Sequence, residues 1–118
     1  EQATEAFVRG KLLLEQRREY ETRYADAPKS VRRLARSLFE EPYFTVSEAS
    51  ETIGMVYQTA NNAVDQLESD GVVSEITGNK QNRVFRADEI MDIVERPATA
   101  LPEATEFVDL ERSWQLPT

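Results

Sequence analysis

The stretch from Thr45 to Gly71 constrains the fold of this chain more than any other, because its helix starts and stops are marked residue by residue. Thr45-Val46-Ser47-Glu48 has the spacing of a capping box. In that arrangement the threonine hydroxyl accepts the Glu48 N–H while the glutamate reaches back to the threonine N–H. The helix so begun carries Val46, Ala49 and Ile53 on one side and ends at Gly54, a natural terminator. After a tight turn over Gly54-Met55-Val56, the spacing predicts a second helix from Tyr57 to Asp70, closed by Gly71. Ala60, Ala63, Val64 and Leu67 recur at i, i+3, i+4 and i+7 and form its buried face. Small alanines at two of those positions let neighbouring helices cross closely.

The flanks extend this pair into a recognisable order. Upstream, Val31, Leu34, Ala35 and Leu38 make the inner stripe of a helix whose outer face holds Arg32, Arg33 and Arg36, with Pro42 as its stop. Tyr43-Phe44 suits a brief strand. Downstream, Val72–Ile76 and Arg83–Arg86 read as two strands joined by the polar turn formers Thr77 to Asn82. Asp88 can then cap a short helix bearing Ile90, Met91, Ile93 and Val94, ended by Pro97. Two helices joined through a glycine-containing turn and followed by a hairpin make a winged helix-turn-helix. The expected class is mostly α with a small antiparallel hairpin (α+β), preceded by a long amphipathic helix.

That leading helix comes from Ala3, Ala6, Phe7, Gly10, Leu13, Leu14, Tyr20 and Tyr24, which recur mostly at three- and four-residue steps. It spans about six turns before Pro28, and its six acids and six bases up to Lys29 cancel. A single apolar stripe cannot bury itself. It must lie on the module that follows, on a further domain, or on a second chain. The expected organisation is a linker or dimerisation helix over 1–27, the winged helix over 28–96 and an extended or disordered acidic tail over 97–118. The tail holds three prolines and four acids against one base, yet Leu101, Phe107, Val108, Leu110, Trp114 and Leu116 suit a docking segment equally well. A homodimer through residues 3–24 and 97–118 is the corresponding partner expectation.

Composition narrows the chemistry. With no His and no Cys, the chain lacks the commonest general base, the commonest metal ligand and any thiolate site. Paired carboxylates such as Glu40/Glu41 and Glu48/Glu51 are solvated helix faces at those spacings. No catalytic residue, metal or cofactor is therefore expected, and no apolar run approaches membrane-spanning length. The chain opens on Glu1 without a secretory pattern, which reads as a cytoplasmic piece of something longer. Its 22 acids against 14 bases leave a net charge of −8, and only Lys11, Lys29 and Lys80 are lysines. Such an acidic, lysine-poor surface fits a salt-loving, archaeal source, where the screening length falls to roughly 3 Å near 1 M salt. The plainer alternative is an acidic domain of ordinary origin.

The candidate contact residues follow from the second helix of the pair. Its outward face carries Gln58, Asn61 and Asn62, with Tyr57 at its start, and Asn and Gln pair bidentately with adenine in a major groove. Phosphate attraction would come from Arg32 and Arg36 on the first helix and from Lys80, Arg83 and Arg86 on the wing. The alternative is ordinary solvated surface. Between Ser30 and Arg96, seven bases face twelve acids, so double-stranded DNA is a partner only if the bases gather on one face.

The run Thr45-Val46-Ser47-Glu48-Ala49, Ile53-Gly54-Met55, Thr59-Ala60, Ala63-Val64, Leu67, Gly71 to Glu75, Thr77-Gly78 and Asn82 to Ile90 resembles the C-terminal winged helix of Fic-family proteins. The preceding Arg- and Tyr-bearing helix is similar to that family's linker helix, so the resemblance covers roughly residues 5–96. It implies an upstream Fic domain that transfers AMP from ATP to a target hydroxyl. None of that domain's His-Pro-Phe…Gly-Asn-Gly-Arg motif is present, and Gly78-Asn79-Lys80 reads as a hairpin turn. Val56 stands where the family usually has Ser, which leaves the second helix without a side-chain cap at a cost of ~1 kcal/mol. The implied role is a non-catalytic accessory module that binds DNA and regulates. The alternative role is a protein-interaction or dimerisation module that positions the upstream domain.

Overall fold

The computed structural model describes residues 2–78 and 81–104. Elements run α1 (Gln2–Arg23), α2 (Lys29–Ser37), β1 (Tyr43–Thr45), α3 (Val46–Ile53), α4 (Tyr57–Ser69), β2 (Val73–Glu75), β3 (Val84–Ala87) and α5 (Asp88–Glu95), then a short 3-10 turn at Ala98–Ala100. This is the winged helix-turn-helix expected from the sequence, with a long helix in front. None of the described helices is long and apolar enough to cross a membrane.

The helical half is built as its stripes require. Val31, Leu34, Ala35, Val46, Ala49, Ile53, Ala60, Ala63, Val64 and Leu67 are all buried. Ala60 and Ala63 lie at the bottom of that core, where their lack of bulk lets α4 sit close to both α2 and α3. The capping box at Thr45 and Glu48 forms in both directions, at 3.1 and 2.8 Å. Gly54 takes the left-handed conformation at φ 70°, so that its own N–H and that of Met55 return to the Ser50 carbonyl. The Arg33 guanidinium donates to the Ile53 carbonyl at 2.9 Å and ties α2 to the same corner. α2 itself stops at Ser37, well before Pro42.

The sheet is larger than a hairpin. β1 joins it, giving antiparallel order β1-β3-β2 with Phe44 opposite Phe85 and Phe85 opposite Glu75. Three residues suffice for β1 because Phe44 turns inward and stacks on Phe85 at 5.7 Å, while the Ala87 N–H reaches the Pro42 carbonyl. Asp88 does not cap α5. Ala87 holds that position without a side-chain bond, and the Asp88 carboxylate accepts from Arg86 at 2.8 Å, a stronger charge-assisted partner.

α1 lies on the module that follows it, by a narrower set of contacts than its stripe suggests. Val8, Tyr20 and Tyr24 are buried and Leu13 leans on the core, whereas Ala6, Gly10 and Leu14 are exposed. Polar anchors complete the seam. The Arg9 guanidinium donates to the Ile93 and Val94 carbonyls at 2.8 and 3.1 Å, supplying donors that the end of α5 lacks. Tyr20 donates to Glu89 at 2.9 Å and Tyr24 to Asp70 at 2.7 Å. Arg9 thus meets the end of α5 and Tyr20 its beginning, so the two helices run antiparallel. The tail residues Phe107, Val108, Leu110, Trp114 and Leu116 lie outside the described residues.

Candidate nucleic-acid interface

α4 presents its amino end and one polar face. Val56 occupies the N-cap in extended conformation and makes no side-chain cap, as its identity dictates. It is 71% exposed and Tyr57 is 56% exposed, so an apolar and an aromatic side chain lead the helix into solvent. Behind them the Gln58 amide donates to the Asn62 side-chain oxygen at 3.0 Å, and Asn61 is half-buried. Two of the three amides are therefore paired with each other one turn apart, with free faces still outward. Further along, Asp65 and Glu68 are exposed. The helix is neutral and polar at its start and acidic toward its end, so only the start is suited to a phosphate-lined groove.

The wing supplies the facing wall. Arg83 lies with its guanidinium carbon 5.0 Å from the Phe85 ring centre and a guanidinium nitrogen 3.9 Å from a Glu75 carboxylate oxygen. The aromatic face holds the cation while a loose ion pair leaves it available to a stronger anion. A cleft of about 280 Å³ opens between the turn leading into β3 and the starts of α3 and α4, lined by Thr45, Ser47, Tyr57, Gln81, Asn82 and Arg83. Tyr57 and Arg83 are thereby brought together. Ser47, Gln81 and Asn82 join them; the turn-forming composition of the wing disguised the last two. Asn82 takes φ 53°, a left-handed conformation that asparagine tolerates better than most residues. Lys80 lies outside the described residues.

The remaining bases do not gather there. Arg86 is engaged by α5: its guanidinium is 2.8 Å from Asp88, 2.8 Å from Glu95 and 3.9 Å from Asp92. The hydrogen bond it donates to Asp88, then its bonds with Tyr43 and Glu95, push the guanidinium pKa well above the usual arginine range. It is a structural cation joining β3 to α5. Arg32 and Arg36 border a different cleft, between α2 and α1, together with Arg17. The i, i+4 spacing on α2 does put them on one face, but that face is the one α1 approaches. The bases among the described residues thus divide between the wing at Arg83, an ion cluster at Arg86 and an α1–α2 cleft at Arg32 and Arg36.

Fold and exposed surface together define a winged helix-turn-helix module whose recognition helix and wing meet at one cleft. No protein-family model matches the chain, and no curated protein does. Among solved structures it is similar to a MarR family protein from Bacillus stearothermophilus, with 23% identity, 87% of this chain and 80% of that one covered, and a TM-score of 0.45.

Proposed function

We propose that residues 28–96 form a non-catalytic accessory module that binds double-stranded DNA in a regulatory role, within a longer Fic-like cytoplasmic protein whose upstream domain carries the AMP transfer. The observation that carries this reading is the convergence of Tyr57 and Arg83 at one cleft, beside the amide face of Gln58, Asn61 and Asn62. The start of α4 would enter the major groove, as recognition helices do, with Asn61 and Asn62 toward base edges and Arg83 and Lys80 on the phosphates. Reading adenine requires Asn62 to exchange its bond with Gln58 for one to the base.

Fluorescence anisotropy with a duplex of random sequence tests this directly. Binding is expected near 50 mM salt and to weaken steeply toward 200 mM, by the release of counterions from the phosphates contacted. Arg83→Glu should weaken it by about tenfold or more and lower the salt slope by about 1. Absence of binding at the lower salt, or an Arg83→Glu protein that binds as well as wild type, would defeat the DNA reading.

The second reading is a protein-interaction or dimerisation module, and it draws on the exposed Val56 and on the dispersal of Arg32, Arg36 and Arg86 away from α4. It places a self-association surface on residues 3–24 and 97–118, and light scattering on the same samples distinguishes it. A salt-loving, archaeal origin belongs to the same proposal, because 22 acids repel one another with few lysines among them. The melting temperature is then expected to rise from about 0.1 M to 2 M potassium chloride by more than a neutral domain's would; a flat profile counts against that origin.

A further inference from the structure

We propose that the start of α4 selects A·T base pairs, with Val56 reading the thymine C5-methyl group and the amides behind it reading adenine. This selectivity rests on the DNA reading above and names the base pairs which that surface recognises.

Val56 holds the N-cap of α4, a position where a side-chain oxygen ordinarily accepts a backbone N–H. Its isopropyl group makes no such bond. Among the described residues, Val56 and Tyr57 are the two most exposed of the large apolar side chains, and neither belongs to the core. A lone apolar side chain in solvent is ordinary. Here two adjacent ones stand at the end of the helix that enters the groove, where helical capping favours a polar residue. On the floor of a major groove the thymine C5-methyl is the apolar feature of the base edges. An aliphatic tip buries against that methyl and gains nothing comparable from guanine or cytosine.

The polar side chains of the same end make the matching choice. Gln58 and Asn62 are exposed and Asn61 is half-buried. Adenine presents its N7 acceptor beside its N6 amine, which one carboxamide meets with its own donor and acceptor. Guanine instead presents two acceptors, O6 and N7, which a guanidinium or ammonium group satisfies best. From Tyr57 to Ser69, α4 contains neither Arg nor Lys. Cytosine offers an amine that a carboxylate can accept, but the exposed Asp65 stands a full turn beyond Asn61, toward the acidic end. Recognition helices meet base edges with their amino-terminal residues, so Val56 to Asn62 decide the preference. Both members of an A·T pair therefore find partners in the first two turns of α4, and neither member of a G·C pair does.

The test is fluorescence anisotropy of the 118-residue chain at low salt with three duplexes of equal length, so that phosphate attraction is the same in each. One has mixed A·T sequence, the second is the same duplex with deoxyuridine in place of every thymine, and the third is G·C. The A·T duplex is expected to bind tighter than the G·C duplex by about tenfold, within the range that one bidentate base contact discriminates. Loss of the thymine methyls, which leaves every base hydrogen bond in place, should weaken binding by about fourfold, the equivalent of one buried methyl-sized group. Val56→Ser should bind the thymine and uracil duplexes equally and the G·C duplex as wild type does. Its melting temperature should not fall, because serine supplies the missing cap. The inference is overturned if A·T and G·C duplexes bind alike, if uracil serves as well as thymine, or if Val56→Ser keeps the difference between them. In those cases salt-dependent binding to all three duplexes leaves the DNA reading standing. Absence of binding to any of them removes both.

Discussion

Replacing Phe85 by alanine is expected to cost about 3–5 kcal/mol of folding stability, the largest effect of any single change in the wing. Phe85 is fully buried on the central strand of the sheet, opposite Phe44 on one side and Glu75 on the other. Its ring stacks on Phe44 at 5.7 Å and 19°, so truncation empties the joint between β1 and β3 as well as removing apolar area. For a domain of this size, whose net stability is about 5–15 kcal/mol, that loss is a large fraction of the whole. Urea unfolding followed by circular dichroism measures it, and a loss below about 2 kcal/mol would mean that the joint collapses around the gap. Phe85→Leu separates fold from function. It keeps most of the buried volume but removes the aromatic face beneath Arg83, so DNA affinity should fall by more than stability does.

The fold was legible wherever the determining chemistry is local. Thr45 and Glu48 are three residues apart, and Gly54 and Gly71 each answer to the helix they end, so α3, its turn and α4 follow from a window shorter than thirty residues. Ala60, Ala63, Val64 and Leu67 are buried because period alone fixes their face. What periodicity could not supply is the identity of the element on the other side. Arg9 meets carbonyls 84 and 85 residues away and Tyr20 a carboxylate 69 residues away, and nothing near either residue announces the partner. The same gap leaves the grouping of the bases open in the sequence. Arg32 and Arg36 point outward from α2, but outward there is toward α1. Arg86 alternates correctly along β3 yet faces three acids of the next helix. Val8, buried beside the Arg9 that bonds the end of α5, falls outside the regular stripe for a related reason: its partner lies more than eighty residues away along the chain. Residue type alone therefore places the amides of α4 on one face, because they share one helix, but cannot place the bases, which spread over three elements.

The double substitution Tyr20→Phe/Tyr24→Phe is expected to cost about 2–3 kcal/mol and to flatten the alkaline limb of the stability profile. Both rings stay, so the apolar seam under α1 is preserved and only two donors are lost. Among the described residues, Glu89 and Asp70 then keep their glutamine hydrogen bonds, from Gln16 at 3.5 Å and Gln66 at 3.1 Å. The pH dependence follows from the direction of each shift. Burial, then the bond to Asp70, pushes the Tyr24 phenol from 10.0 up to about 12. Burial and the bond to Glu89 push Tyr20 higher still. A phenol that ionises at 10.0 in the unfolded chain and later in the folded one contributes stability that is full below pH 10 and is lost as the pH rises through the folded value. Asp70 has the opposite sense. The bond from Tyr24, then that from Gln66, holds its carboxyl below the ordinary 3.8, so its contribution is present above that value and lost as acid carries the pH through the folded one. The native protein should therefore lose stability on both sides of neutrality, and the double variant should lose less between pH 10 and about 12. Urea midpoints at neutral pH and across that window decide the matter. If the variant declines in parallel with wild type, the two phenols do not set the alkaline limb. If it declines less, α1 is held to the rest of the module by two protonated hydroxyls. One of those grips the C-cap of the recognition helix, so any domain that moves α1 would bear on α4 through Asp70.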